Sequence, residues 1–217
     1  ITCNYVLDEK SRVRFKVKDY DPSNTLIIDP TLIFCSFTGS TKDNWGYTAT
    51  PGPDGSLFAG GVVFGSGFPA TLGAFQTVFN GGTEDDANGP YDIGIIKLSA
   101  NGSQRIYATY MGGSGNEQPH SMICDAQGNL VIAGRTNSPA SPGGVSIPFP
   151  VTTPMVGTAG KYDIFVAKLN PNGTGLVGSI RMGGREDDGV NIRSKYSPLL
   201  VPGQSDGAYE TRRNYGD

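Results

Sequence analysis

His120 is the only histidine in the chain, so any Ser-His-Asp or Cys-His arrangement, or any histidine-bound metal, has to be built around it. Carboxylates suited to hard cations cluster twice, at Glu84-Asp85-Asp86 and at Glu186-Asp187-Asp188, each near a Gly pair. Neither has the D-x-D-x-D-G spacing of a calcium loop. Solvated turn acids are the simpler reading, and weak calcium turns are the alternative. The stretches MGGSGNE (111–117) and MGGRED (182–187) lack the GK[ST] ending and the following helix that a phosphate loop needs. Cys3, Cys35 and Cys124 are an odd count with no C-x-x-C pair; they are expected to be buried free thiols, with one disulfide and a leftover thiol as the alternative. Trp45 and the tyrosines suggest an aromatic platform for sugar, or simply packing. Asn101 and Asn172 open glycosylation-type triplets, but both also occupy hairpin turns. No catalytic, cofactor-binding or metal-ligating set emerges, and no cofactor is expected.

The elements that position these residues follow from an internal repeat. Residues 91–118 align without gaps on 162–189, an offset of 71, with 10 identities in 28 positions, among them Tyr-Asp-Ile, Lys-Leu, Asn-Gly and Met-Gly-Gly. At an offset of 73, LIFCSFTGS (32–40) falls on RIYATYMGG (105–113), and DGSLFAGG (54–61) on QGNLVIAG (127–134). In that register His120 shares its column with Tyr47 before it and Asn191 after it, as a polar position at the start of an inner strand would. Trp45 shares its column with Gln118, so an aromatic site is not repeated.

Composition agrees with strands and turns. Gly 32 and Pro 15 in 217 residues, with 10 Tyr and 10 Phe, are an excess that helix interiors do not tolerate. Each unit parses into four short strands, near 45–50, 56–63, 91–98 and 104–111, and again near 121–125, 130–135, 162–169 and 175–182. Long loops, 64–90 and 136–160, join the second strand to the third. Asn101-Gly and Asn172-Gly close the hairpins between third and fourth strands. DIGIIKL and DIFVAKL are nearly continuously apolar, as in strands covered on both faces. A four-stranded antiparallel unit repeated every 71–73 residues predicts an all-β chain of β-propeller blades.

Several of these segments together resemble the SBBP-type β-propeller repeats of Bacteroidetes. They are W-G-Y-x-A (Trp45 to Ala49), D-x-x-G-x-L, F-P-x-T (Phe68 to Thr71 and Phe149 to Thr152), Y-D-I-x-x-x-K-L and Y-M-G-G-S-G-N-E (Tyr110 to Glu117). The resemblance covers about 31–189. It implies a large secreted or cell-surface protein, outer-membrane-associated, exported by the type IX secretion system and often linked to gliding motility.

Residues 1–30 stand apart. ITCNYVL, a DEKS turn and the alternating RVRFKVK predict a hairpin with a solvated basic face, and the segment to Pro30 resembles the end of the β-rich domain preceding such propellers. The remainder, 31–217, is expected to hold a lone strand 32–38, blades at 45–111 and 119–182, and the start of a degenerate blade at 190–217. Two blades cannot close a ring of four to eight, so the chain is expected to be a segment of a larger polypeptide.

A net charge of -3 gives no general attraction to nucleic acid, and no apolar run reaches the roughly 18 residues of a spanning helix. The functional expectation is a non-enzymatic scaffold or adhesion module. Its partners would be the export machinery, other surface proteins or extracellular polysaccharide. The alternative is a lectin-like propeller, calcium-assisted, that uses the long loops.

Overall fold

Alternating and continuous apolar runs punctuated by glycine leave the backbone little choice but ladders. The computed structural model describes residues 2–7, 13–25, 34–82, 90–140, 144 and 146–188; among these there are strands and turns and no helix. The chain divides into two compact units, Ile1–Ile33 and Phe34–Asp217.

In the first unit β1 (Thr2–Leu7) pairs antiparallel with β2 (Val13–Lys18), Thr2 opposite Lys18 and Leu7 opposite Val13. Lys16 and Lys18 are exposed and Val17 is half-buried, as the alternation predicts. The DEKS turn lies outside the described residues.

The second unit holds two sheets of like construction. The first orders β3 (Asn44–Pro51), β4 (Leu57–Val63), β5 (Asp92–Leu98) and β6 (Arg105–Met111), all antiparallel. The second orders β7 (Glu117–Cys124), β8 (Leu130–Thr136), β10 (Asp163–Leu169) and β11 (Leu176–Gly183), again antiparallel. A two-residue β9 (Val156–Gly157), not foreseen in the sequence, adds parallel pairing at the outer edge of β11. At the hairpin turns Gly102 and Gly173 take φ of 67° and 69°, the left-handed conformation that Asn-Gly favours.

Two strand expectations change. The inner strand of the second sheet begins at Glu117, not Ser121, because residues 117–120 continue the ladder through a bulge at His120. The expected strand 32–38 is not seen over its described part: 34–43 carry no ladder, and Phe37 is 96% exposed. A strand exists only beside a partner, and no described strand pairs with this segment.

The sheets stack in one sense. One face of the first sheet, which we term trailing, carries Phe58, Ile93, Ile95, Tyr107 and Met111; these share a core with Leu130, Ile132, Phe165, Ala167 and Leu169 on the leading face of the second. The leading face of the first sheet carries Val63, Ile96, Ala108 and Tyr110 under Phe68 of the long loop. The F-P-x-T segments recur as edge clasps. Thr71 N donates to Ala108 O at 2.8 Å while its Oγ1 accepts from Ala108 N at 2.9 Å. Thr152 makes the same two bonds with Ser179, at 3.0 and 2.7 Å.

The inner strands of both sheets carry a β-bulge at the equivalent residue, Tyr47 in β3 and His120 in β7. Each bulge pushes a carbonyl against a glycine of the next strand. A Cβ on Gly61 would lie 1.9 Å from Trp45 O, and one on Gly134 would lie 2.1 Å from Gln118 O. Gly134→Ala therefore costs about 1–3 kcal/mol in urea unfolding. Gly178→Ala, with nothing within 4 Å, changes stability by less than about 0.5 kcal/mol.

Candidate functional site

The polar residues that recur between repeats collect at the two ends of the sheets. At one end the lysine of each Y-D-I-x-x-x-K-L strand crosses to an acid in the neighbouring turn: Lys97 Nζ lies 3.4 Å from Asp54 Oδ2, and Lys168 Nζ 2.7 Å from Asp125 Oδ2. Asp54 is held down at about 2, chiefly by hydrogen bonds from Ser56. Hydrogen bonds from Lys168 and Asn129 hold Asp125 well below the usual carboxylate range.

At the other end the loop after Met-Gly-Gly ties each fourth strand to its own third strand. Tyr91 N donates to Asn116 Oδ1 at 3.3 Å, and Glu117 N donates to Tyr91 O at 3.2 Å. In the next repeat Tyr162 N donates to Asp187 Oδ1 at 3.2 Å, and Asp188 N to Tyr162 O at 2.7 Å. Gly113 N donates to Glu117 Oε2 at 3.0 Å, and Gly184 N donates likewise to Asp188 Oδ2. The acids at 186–188 are thus committed to this tether, with Glu186 on Lys161 at 2.8 Å. Glu84-Asp85-Asp86 lie outside the described residues.

This end holds a row of buried charge, with Asp163 and Glu117 on the leading face of the second sheet and Asp92 on the leading face of the first. Asp163, 0% exposed, receives Arg181 Nε and NH2 at 2.6 Å each, and Arg181 NH1 donates to Ser138 O. Glu117, also 0% exposed, accepts from Thr136 Oγ1 at 2.5 Å, Ser138 Oγ at 2.6 Å and Gly113 N. Asp92, the repeat equivalent of Asp163, accepts from Asn80 N at 2.8 Å through Oδ2, but its buried Oδ1 has no partner. Where Asp163 has Arg181, Asp92 has Tyr110 in the same column, and among the described residues no cation takes that place. Burial, and then the Glu117 charge, push the Asp92 carboxyl up to about 8. Burial also raises Glu117, against its hydrogen bonds and Arg181. The glycines of Met-Gly-Gly make room for these acids: a Cβ on Gly112 would sit 2.6 Å from Asp92 Oδ1, and one on Gly183 2.1 Å from Asp163 Oδ1.

Two neighbouring acids raised in this way resemble an acid-base pair, but both are fully buried. Sequence reasoning passed over them. The available signal was the recurrence of Asp in Y-D-I and of Glu117 and Asp188 in one column.

The structure separates most of the residues singled out by type. His120, half-buried at its bulge, has Nε2 without a partner and is pushed down to about 4 by burial and then by Arg135. Arg135 stacks on the Tyr162 ring at 4.2 Å and donates to Gln118 Oε1 at 2.9 Å. Trp45 is 44% exposed, edge-on to Phe64 at 4.9 Å. It lines an apolar groove of about 370 Å³ on the leading face of the first sheet, with Ala59, Gly61, Val63 and Ile96. Packing of Trp45 is therefore only partial. The expectation of buried thiols fails at Cys35, which is exposed because its segment joins no ladder; Cys124 is half-buried, and both are free. Among the described residues no three His, Cys, Asp or Glu side chains are grouped to hold a metal. No helix among them is long and apolar enough to cross a membrane.

A family described as "Domain of unknown function (DUF7948)" matches residues 1–31. No curated protein matches the chain.

Arg181→Gln leaves Asp163 buried without its cation and lowers stability by about 3–5 kcal/mol. Lys161→Ala, at an exposed pair, changes it by about 0–1 kcal/mol; urea unfolding separates the two. His120, as the sole imidazole, gives an unambiguous NMR titration, with a midpoint near 4. Because that value is depressed, the His120 contribution to stability is present above about pH 6.5 and is lost as pH falls toward 4.

Proposed function

We propose that the chain forms part of a β-propeller whose role is that of a non-enzymatic scaffold or adhesion module on a bacterial surface. The observation that carries the architecture is the fate of equivalent positions. Ile93 and Ile95 are fully buried where a sheet follows them. Their repeat equivalents, Ile164 and Val166 on the trailing face of the second sheet, are half-exposed. At the other end of the stack the Trp45 groove occupies the leading face of the first sheet, where Ile132 and Phe165 of the second sheet meet their neighbour. Each open face matches the partner that the other requires, which favours further sheets of the same kind in a head-to-tail ring.

The surface role rests on the likeness of the repeat motifs to SBBP-type propellers, together with residues whose recurring polar contacts are all used internally. The protein is then a type IX export substrate, with the export machinery, other surface proteins or extracellular polysaccharide as partners. Protease treatment of intact cells removes the protein, and cells lacking type IX export retain it inside. Recovery of all of it from the cytoplasm of export-competent cells contradicts the reading.

One feature favours a second reading, a ligand-binding propeller. The 136–160 loop encloses a cavity of about 410 Å³ walled by Pro139, Phe149, Pro154 and Met155, with Arg181 reaching it. A glycan array with and without calcium tests it: binding that is lost on Met155→Arg supports this reading, and a blank array counts against it.

A further inference from the structure

The orphaned oxygen of Asp92 is the least explained polar atom in the row of buried charge at this end of the sheets. It is 0% exposed, it has no donor, and a Cβ on Gly112 would lie 2.6 Å from it and 2.5 Å from Glu117 Oε2, which makes the two carboxyls near neighbours. Two ionised carboxylates in that position repel in a medium that screens them poorly. The charged and titratable groups around them, among the described residues, are few. Glu117 comes from β7. Arg181 comes from β11 and is bound to Asp163 of β10. Tyr110 comes from β6, and its hydroxyl is committed to Gly67 N, Phe68 N and Gly65 O. From the described part of the loop facing Asp92, the neutral Gln76 and Asn80 reach it. Among the described residues no cation faces Asp92, whereas Glu117 has three hydrogen-bond donors and Arg181 nearby.

We infer that Asp92 keeps its proton beside the Glu117 anion, so that the corner where the first sheet passes into the second is pH-sensitive. With the proton on Asp92, Glu117 is the only charge of the pair. Loss of the proton places two buried negative charges across the junction and weakens it. In the second sheet the equivalent Asp163 is neutralised by Arg181, so the device belongs to this junction and is independent of whether more sheets follow.

The direction of the pH effect is set by linkage. Asp92 binds its proton more tightly folded than unfolded, so its contribution is complete below the ordinary Asp value near 4 and is lost as pH rises toward about 8. This is opposite to the effect of His120, which both wild type and an Asp92 variant retain.

The test is a carboxyl-carbon NMR titration of the 217-residue chain, with urea unfolding of wild type and Asp92→Asn across pH 5–8. Asp92 is expected to remain protonated at pH 6.5 and to titrate far above ordinary carboxylates. Relative to D92N, whose amide mimics the protonated acid, the wild-type unfolding constant rises about tenfold per pH unit between pH 5 and 7. Glu117→Gln brings the Asp92 midpoint down. Ionisation of both acids by pH 5, or parallel pH profiles for wild type and D92N, overturns the inference. Should D92N fail to fold, the wild-type titration decides alone.

Discussion

Burial of one sheet's trailing face by the next sheet's leading face is the constraint on which the rest of the second unit depends. Phe58, Ile93, Ile95 and Met111 have no other way out of water than against Leu130, Ile132, Phe165 and Leu169. A single four-stranded sheet has two apolar faces and can cover neither by itself. Stacking solves this for the two inner faces and leaves the two outer ones open. The long loops moderate the exposure by laying Phe68 and Phe149 on the leading faces and by clasping the outer edge strands through Thr71 and Thr152.

Stacking also explains which polar residues recur. A chain passing from one sheet to the next must satisfy its backbone in a dry corner, where unpaired groups are costly. The Gly-Gly-x-x-Asn/Asp-Glu/Asp loop does so twice, with the same donors and acceptors 71 residues apart. The recurring Asp of Y-D-I lies under that corner. Its two copies are neutralised differently, by Arg181 in one repeat and by a retained proton in the other. The motif is thus a device for joining sheets, and its glycines are needed for the space beside the acids.

Much of the fold was legible because repetition supplies its own alignment: strand boundaries, hairpin turns and the long loops follow from overlaying 91–118 on 162–189. The shared column of Tyr47 and His120 is read the same way, although the bulge that creates it is a three-dimensional event visible only as a glycine in the neighbouring strand. Where the reading departs from the structure, the cause is a neighbour that sequence cannot weigh. Residues 34–38 have strand composition but no partner among the described strands. DIFVAKL is as apolar as DIGIIKL, yet its trailing side is half-exposed because no described sheet lies against it. The Asp92–Glu117 pair was hidden because each residue by itself is an ordinary acid at a strand end; only burial and the missing cation make it chemically distinct.

Oxidative footprinting of Trp45, compared between the 217-residue chain and the protein as cells make it, tests the stacking account most directly. Trp45 lines the open leading face and is 44% exposed here. The account predicts modification in the isolated chain and protection in the native protein, together with protection of Ile164 and Val166 on the opposite open face. Equal modification of Trp45 in both would mean that no further sheet covers that face and would contradict head-to-tail stacking.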